Sequence, residues 1–405
     1  MSVFRGSSTA IWVAVLCLMS ARQAAAQVSP ILPSTRVVLL GPLSLYPQIA
    51  LRDAGTDSNV YNDSNAPKSD LTYSVTPRLY AVLPIGNTRF VGTGVGDLVY
   101  YRTYKDQRSL TTMLEGRYEV TGPGFRPFAS VGFTGRGDRQ GFEIDQRVRN
   151  SQTTLSVGAD IDLTARTALT AWARRSKTAY DRNEQYLSVS LADQLDHKSD
   201  AVAGGARFRV TPLTSVVITA EVERDRFERA PVRNTDSLRV GPAVEFDSGA
   251  AISGDAKAGI RSFVPRDRAL ARYRGFTGSA RLHYTLLSVT RFDVEANRDV
   301  AYSYDPIQPY YLESGGRLTV AQRLLGPMEI IGIGERREIR NQRIGGTSFD
   351  GRREVTTSLG GGIGFQIQKQ MRFALTYERT ARTSSEPVGR NYERRRVLAS
   401  VNYGL

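Results

Sequence analysis

Apolar and polar residues alternate with a period of two along much of the chain. The same alternation occurs in residues 216–223, 291–297 and 372–378. Successive side chains of a β-strand point to opposite faces, so the pattern predicts strands with one apolar and one polar face. An amphipathic helix would need a spacing of 3.6 residues, which none of these segments has. The clearest example is residues 153–163, in which the apolar positions are Leu155, Val157, Ala159, Ile161 and Leu163.

Short turns rich in glycine, proline and polar residues separate the strands in pairs, and long polar segments separate one pair from the next. Eight short turns and nine longer loops predict eighteen antiparallel strands, with both termini on the same side. A count of sixteen stays open because residues 186–200 fit either a strand or a loop. The turns lie at Pro84–Asn87, Thr121–Gly124, Thr164–Arg166, Thr211–Pro212, Asp247–Gly249, Leu287–Ser288, Gly326–Pro327 and Gln368–Gln370.

The fold class predicted by this pattern is all-β: a single transmembrane antiparallel β-barrel over residues 43–405, with short periplasmic turns and long extracellular loops. The composition agrees, because a polar chain with 37 glycines and 19 tyrosines suits a barrel that needs apolar residues only on its lipid face. A β-propeller is the alternative explanation for strands and turns that recur at regular intervals. Its blades contain four strands each, whereas here each repeat contains two strands and one long loop.

The N-terminus has the features of an export signal. Arg5 precedes an apolar run over residues 11–19, and three alanines end at Ala26, so cleavage is expected between Ala26 and Gln27. Residues 1–26 are therefore predicted to be a signal peptide and residues 27–42 a short periplasmic segment. The expected location is the bacterial outer membrane. The single cysteine, Cys17, lies within the signal peptide, which excludes disulfides and cysteine chemistry from the exported chain.

Alternation also continues to the end of the chain. Val397, Ala399, Val401, Tyr403 and Leu405 are apolar or aromatic, and polar or small residues mostly separate them. A last strand that ends on an apolar residue is what outer-membrane barrels generally present for assembly. An ordinary edge strand is the alternative explanation.

Several segments resemble the outer-membrane β-barrel porin family 2, and the resemblance covers nearly the whole exported chain. It implies a barrel without assigned catalytic residues, and it implies an association with exopolysaccharide production or export. The sequence departs from the family at its end, where Tyr403-Gly404-Leu405 replaces Tyr-Gly-Phe. The matching segments are Gly41–Pro47, Asp57–Tyr61, Thr211–Thr214, Asp236–Pro242, Tyr284–Leu287, Thr290–Phe292, Arg298–Val300 and Tyr302–Tyr304.

The polar faces of the predicted strands carry charges of both signs, so we expect a wet and charged lumen. The alternative is that these groups only satisfy each other across neighbouring strands. A charged wall does not by itself identify a solute. The candidate lumen-lining residues are Glu115, Arg117, Glu119, Arg207, Arg209, Glu221, Glu223, Asp255, Lys257, Arg281, His283, Arg291, Asp293, Glu295, Glu313 and Arg317.

Outside the signal peptide the chain has 52 basic and 40 acidic residues. Many arginines fall in two segments predicted to be outward-facing loops, where they would meet membrane lipid, anionic lipopolysaccharide or an acidic polysaccharide. Screening by lipid phosphates and ions is the simpler explanation. No nucleic-acid-binding motif occurs, and the oligomeric state is left open. The arginines are Arg261, Arg266, Arg268, Arg272 and Arg274 in one segment, and Arg336, Arg337, Arg340, Arg343, Arg352 and Arg353 in the other.

Four tyrosines in one predicted loop, Tyr302, Tyr304, Tyr310 and Tyr311, are candidate carbohydrate contacts because flat aromatic rings stack on sugar faces. The alternative is an interfacial aromatic girdle.

The sequence predicts no enzyme, no cofactor and no metal site. Ser279 shares a strand face with His283, but no third residue completes a triad. The acidic segment 53–63 lacks the glycine of an EF-hand calcium loop. The leading functional hypothesis is a porin-like channel for passive passage of small polar solutes or for export of polysaccharide. The alternative is a non-conducting barrel that scaffolds an exopolysaccharide-producing complex.

Overall fold

The structure is a computed structural model. It describes residues 37–403 except 140–142, 248, 325, 347–348, 369–370 and 386–389. The predicted signal peptide and most of segment 27–42 lie outside the described residues, as do Gly404 and Leu405 of the predicted last strand.

Most of the described chain forms long β-strands. Those before residue 190 are β1 (Val38–Leu40), β2 (Leu43–Asp57), β3 (Asp70–Ile85), β4 (Thr88–Tyr101), β5 (Ser109–Val120), β6 (Phe125–Arg136), β7 (Asn150–Asp162), β8 (Thr167–Tyr180) and the short β9 (Gln185–Tyr186). The rest are β10 (Val189–Ser190), β11 (His197–Thr211), β12 (Thr214–Phe227), β13 (Thr235–Phe246), β14 (Ile252–Pro265), β15 (Tyr273–Leu286), β16 (Thr290–Tyr302), β17 (Tyr310–Arg323), β18 (Met328–Gln342), β19 (Arg353–Gln368), β20 (Met371–Ser384) and β21 (Tyr392–Tyr403).

The long strands form one closed barrel. Each pairs antiparallel with the strands before and after it, and β2 pairs with both β3 and β21, which closes the sheet. Without the edge strand β1 and the separate β9–β10 hairpin, the barrel has 18 strands. The predicted all-β barrel and its count of eighteen strands are therefore confirmed, and the count of sixteen is wrong. The strands meet in short turns at one end and in long connections at the other.

Only residues 197–200 of the segment that was ambiguous in sequence belong to a barrel strand, β11, and the rest is a connection. Between β8 and β11 the chain forms the β9–β10 hairpin and then a short helix, α1 (Leu191–Leu195). Two further connections contain single 3₁₀ turns, at Lys105–Gln107 and Pro231–Arg233. Among the described residues, no helix has the length and apolar character that crossing a bilayer requires.

The two faces of the barrel differ as the alternation predicts. On the outer face, apolar side chains such as Leu155, Val157 and Val202 are 54%, 58% and 62% exposed. Such a surface is stable in lipid but costly in water. The positions between them carry polar and charged groups, and many of these are buried against each other on the inner face, for example Glu223 and Arg261.

The long-loop end of the barrel, called the outer end here, departs from a simple cylinder. Strand β15 pairs with β16 only as far as Gly278 and Arg298, whereas β16 and β17 stay paired up to Tyr302 and Tyr310. The Tyr302 hydroxyl bonds Asp225 on β12, beyond three intervening strands. The tip of the β16–β17 hairpin therefore leaves the wall and leans into the lumen.

Candidate functional site

Ion pairs on the inner face join strands that are not neighbours. Arg261 on β14 reaches Glu223 on β12 at 3.2 Å and Asp299 on β16 at 2.7 Å. Arg239 on β13 reaches Asp299 at 2.6 Å, across two intervening strands. Neighbouring strands lie about 4.8 Å apart, so such pairs form only on the concave side of a curved sheet. These side chains therefore point into the barrel.

Most of the predicted lumen residues form ion pairs, either along one strand, between neighbouring strands or between strands that are not neighbours. Glu313 instead accepts a hydrogen bond from Asn297 Nδ2 at 2.8 Å, and Arg209 Nη1 donates to the Ala165 carbonyl at 3.3 Å. Such pairing accords with the view that inner charges satisfy one another, and contact with a solute stays a prediction. The ion pairs join Arg117 to Glu119, Arg207 to Glu245, Glu221 and Glu223 to Arg174, His283 and Arg291 to Asp293, and Arg317 to Glu335 and Glu378.

The remaining predicted lumen residues have no ion pair within 4.0 Å in the described parts of the chain. Their strand positions put all of them on the inner face. An inner charge without a close counter-charge is the kind of group that a passing ion or solute can engage. These residues are Glu115, Asp255, Lys257, Arg281 and Glu295.

Residues 143–149, the part of the chain that leads into β7 and is called the crossing loop here, lie across the outer end of the lumen. Glu143 is 2% exposed and accepts hydrogen bonds from Ser303 Oγ at 2.5 Å, Tyr304 N at 3.1 Å and Asn341 Nδ2 at 3.1 Å. Arg352, which precedes β19, forms a buried ion pair with the same carboxylate. These partners belong to the opposite wall, so the loop spans the opening.

The Glu143 contacts continue into a larger set of buried charges. Glu354 lies 2.9 Å from Arg352 Nε and 2.5 Å from Arg390 Nη1, and it also pairs with Arg382. Asp145, on the crossing loop, pairs with Arg382 at 2.7 Å. Five strands intervene between β6 and β20 by the shorter way around the barrel, so the crossing loop is tied to a distant part of the wall. We call Glu143, Asp145, Arg352, Glu354, Arg382 and Arg390 the outer network.

Burial and neighbouring charges in the outer network shift the pKa values of Arg390 and of Tyr304 beside it. Burial alone would lower the pKa of Arg390, but Glu354 and Tyr186 raise it above the usual arginine value. Burial raises the pKa of Tyr304, whose hydroxyl contacts Arg390, to about 12. Arg390 therefore stays charged and Tyr304 stays neutral near neutral pH, and the network is held together by opposite charges in contact.

Arg233 ties together the other loops at the outer end. Its guanidinium is fully buried and donates to the carbonyls of Pro309 at 3.0 Å and Asp305 at 2.8 Å, and to Gln194 Oε1 at 2.9 Å. It also bonds the Ser303 carbonyl. Burial lowers the pKa of Arg233 to about 10, so it stays charged at neutral pH.

The four tyrosines proposed as carbohydrate contacts do not form the expected display. Tyr302 ends β16, and Tyr310 and Tyr311 begin β17, so only Tyr304 lies in the connecting loop. Tyr304, Tyr310 and Tyr311 are 5%, 0% and 7% exposed. The Tyr304 ring packs edge-on against Tyr186, with centroids 4.7 Å apart. Stacking on a sugar needs a free ring face, so the structure corrects this expectation: these rings are packing residues of the outer end.

Several arginines expected in outward loops lie elsewhere. Arg336, Arg337 and Arg340 are strand residues of β18, and Arg261 lies inside the barrel at 1% exposure. Arg352 is also buried. The prediction failed because arginine occurs on both faces of a barrel strand near its ends. Contact between the loop arginines and lipopolysaccharide stays a prediction.

The middle of the lumen contains a cavity of about 180 Å³. It lies where the ladder between β13 and β14 is interrupted: Pro242 has no N–H to donate, and Gly241 and Gly259 have no side chains. An added Cβ would come within 2.0 Å of the Ala258 carbonyl oxygen at Gly241, and within 2.5 Å of the Val240 carbonyl oxygen at Gly259. The two backbones approach too closely at these glycines for any side chain, so the lumen wall carries no side chains at these two positions.

The rest of the cavity wall combines aromatic, basic and hydroxyl groups. Trp172 and Phe128 line it together with Lys257, Thr277 and Ser279. The described residues contain no group of three or more histidine, cysteine, aspartate or glutamate side chains that could hold a metal ion.

Sequence reasoning missed the outer network, Arg233, Trp172 and Thr277. The alternation gives Trp172 and Thr277 an inward orientation, so a systematic list of inner positions would have included them. Glu143 and Arg352 have no such signal, because loop residues carry no periodicity and their pairing depends on chain closure around the whole barrel.

The comparisons with known proteins accord with this architecture. Residues 38–404 match a family described as "Putative beta-barrel porin 2". The chain belongs to this family. The match confirms the resemblance predicted from the sequence and makes the protein a porin-family, outer-membrane β-barrel.

Solved structures of outer-membrane proteins are also similar. The outer membrane protein OpdK of Pseudomonas aeruginosa has 11% sequence identity and a TM-score of 0.48, over 88% of this chain and 98% of that one. OccK2 (OpdF) of the same organism has 11% identity and a TM-score of 0.49, over 89% and 98%. At this level of identity the likeness concerns the fold alone. Comparison with curated proteins gave no match.

Proposed function

We propose that this porin-family barrel is a passive channel for small polar solutes. The observation that carries the proposal is the inner face, on which charges of both signs occur from the short-turn end to the outer network. Arg89 and Glu119 pair near the short turns, Arg239 and Asp299 pair higher up, and Arg382 and Asp145 pair at the outer end. Fixed charges along a wall replace part of a solute's hydration, so passage needs only a concentration gradient.

The position of the crossing loop favours the passage of small solutes over the passage of polymers. Because Glu143 and Asp145 tie this loop to the far wall, any solute must pass beside it. A polysaccharide in transit would need the loop to move and the buried ion pairs to separate. Export of polysaccharide, and the association with exopolysaccharide production implied by the family resemblance, therefore stay weaker hypotheses.

The same buried ion pairs between the crossing loop and the far wall favour a second candidate function. A barrel whose outer loops are held together by buried arginines suits a non-conducting scaffold as well as a narrow channel. Under this hypothesis the charged interior would be structural, and the outer loop surface would carry the function by binding a partner.

Planar-bilayer recording of the purified full barrel tests the two candidates. A channel gives reproducible conductance steps, whereas a scaffold gives none although the protein shows the heat-modifiable migration of a folded barrel. If the wild type shows no conductance, the variant Glu143→Ala, which removes the main anchor of the crossing loop, distinguishes a closed channel from a scaffold. Conductance in the variant alone supports a channel closed by its loop, and silence in both proteins overturns the channel proposal. Membrane fractionation checks the location, and recovery in the inner membrane would contradict both candidates.

A further inference from the structure

The cavity in the middle of the lumen has one basic group that its surroundings do not neutralise. Each carboxylate of its lining faces an arginine: Glu245 lies 3.2 Å from Arg207, and Asp299 lies 2.6 Å from Arg239. Glu221, the third, lies 3.3 Å from Arg174. Lys257 lines the same cavity and has no ion pair within 4.0 Å among the described residues. The local excess is therefore a single positive charge at Lys257.

A second group in the lining lacks a partner. Thr277 is 3% exposed, and its hydroxyl oxygen has no hydrogen-bond partner in the described structure. Lys257 pairs in register with Ser279, and Gly259 with Thr277, so Lys257 and Thr277 are diagonal neighbours on adjacent strands. Diagonal neighbours on one face lie about 7 to 8 Å apart at their Cα atoms, within reach of a lysine side chain. A buried polar atom without a partner costs free energy unless a ligand or water satisfies it.

The cavity also offers a flat apolar surface. Trp172 lines it and is half-buried, with the Arg174 guanidinium 5.0 Å from the centre of its ring. Phe128 lies beside it with Arg117 stacked at 3.7 Å. Pockets that bind small molecules usually combine such aromatic surface with a few convergent polar groups. The hydroxyls of Thr219 and Ser279 complete the set.

We propose that this cavity binds a sugar acid, a single pyranose ring that carries a carboxylate. The carboxylate would bind Lys257 and the Thr277 hydroxyl, the apolar face of the ring would stack on Trp172, and the ring hydroxyls would bond the paired carboxylates and Ser279. This assignment rests on the proposed channel function and names the class of solute that the channel prefers. A neutral sugar leaves Lys257 without a counter-charge, and a simple carboxylate leaves the indole uncovered.

Tryptophan fluorescence gives a direct readout. The sequence contains two tryptophans, and Trp12 lies in the predicted signal peptide, so Trp172 is the sole tryptophan emitter once the peptide is removed. D-galacturonate should change its emission in a saturable way. D-galactose should bind at least 10-fold more weakly, and acetate should leave the emission unchanged. Equal responses to galacturonate and galactose, or equal competition by acetate, would refute the proposal.

Two substitutions and one control locate the site. Lys257→Gln should weaken galacturonate binding roughly 10- to 100-fold, the usual range for a lost charge-assisted hydrogen bond, and Thr277→Val should weaken it several-fold. Lys198→Gln removes the same type of charge outside the cavity, at an exposed lysine that pairs with Glu228 at 2.8 Å, and it should leave affinity unchanged. All variants are first checked for heat-modifiable migration. An unchanged affinity in folded Lys257→Gln would overturn the assignment.

Single-channel recording separates this inference from the channel proposal. Added galacturonate should interrupt the current of the wild type briefly and should do so less in Lys257→Gln. Steady conductance with neither interruptions nor a fluorescence response would overturn the sugar-acid site and leave the channel intact. A saturable fluorescence response in a barrel that never conducts would instead overturn the channel and retain the site.

Discussion

The crossing loop gives the sharpest test of how the outer end works. In Glu143→Ala the loop loses the carboxylate that accepts from Ser303, Tyr304, Asn341 and Arg352. Arg352 is not left alone, because Glu354 lies at 2.9 Å and Asp305 at 3.4 Å. The substitution therefore frees the loop without leaving an isolated buried cation.

The expected size of the effect follows from these contacts. A hydrogen bond to a charged group contributes about 1.5 to 3 kcal/mol, and the remaining ion pairs of Arg352 retain part of what is lost. We take about 3 kcal/mol for the docking of the loop, which changes the ratio of docked to released loop by roughly 100-fold. Asp145 still pairs with Arg382, so the loop should alternate between a docked and a released position.

Planar-bilayer recording should show this as a new, higher conductance level in Glu143→Ala, with transitions between levels. Hydrogen exchange at residues 143–149 should also be faster. The matched control is Glu393→Ala, which removes a carboxylate that pairs with Arg379 at 2.8 Å and Arg395 at 2.7 Å on an exposed surface. This control should behave as the wild type. If Glu143→Ala has unchanged conductance and exchange, the loop does not depend on its buried carboxylate and the reasoning fails.

Three other predictions concern different parts of the barrel. Arg233→Met leaves the carbonyls of the 303–309 loop without their donor, so the Ser303 amide should exchange with deuterium faster, and an unchanged rate would contradict the role of Arg233. Leu155→Arg places a charge in lipid and should destabilise the barrel by about 2 to 4 kcal/mol in urea titrations, whereas Thr154→Arg on the inner face should cost much less. Asp57→Asn breaks the buried ion pair with Arg394 across the β2–β21 seam, which should lower stability by about 3 to 5 kcal/mol and reduce the temperature at which the folded band disappears on gels.

The fold was predictable because the alternation within each barrel strand indicates which of its side chains face outward. The alternation in residues 153–163 places Leu155 outside and Ser156 inside without knowledge of any other strand. Turn residues such as Gly86, which has a φ of +59°, mark where strands reverse, so counting turns counts strands. The ambiguous region 186–200 is informative as well: its periodicity fails because residues 186–196 belong to a hairpin and a helix outside the barrel ladder, and only residues 197–200 belong to β11.

The outer end was not predictable in this way. The partners of Glu143 lie 160 to 209 residues away along the chain, and they come together only when the barrel closes. The tyrosines near residue 304 show the same limit. Their clustering in sequence was real, but burial in a core formed by other loops decides whether they face a ligand, and burial depends on contacts distant in sequence.

The basic composition of the chain has a structural explanation that bears on selectivity. A barrel of 18 strands is wide, and long arginine side chains can bridge strands that shorter residues cannot connect. Arg261 is an example, since it holds carboxylates on two strands that are not its neighbours. An inner arginine bound in this way contributes little net field to the lumen, because its counter-charges lie in contact with it. The total charge of the chain therefore says little about the solute. Selectivity should instead depend on the few inner charges without close partners, and among these Lys257 lies in the cavity with Trp172.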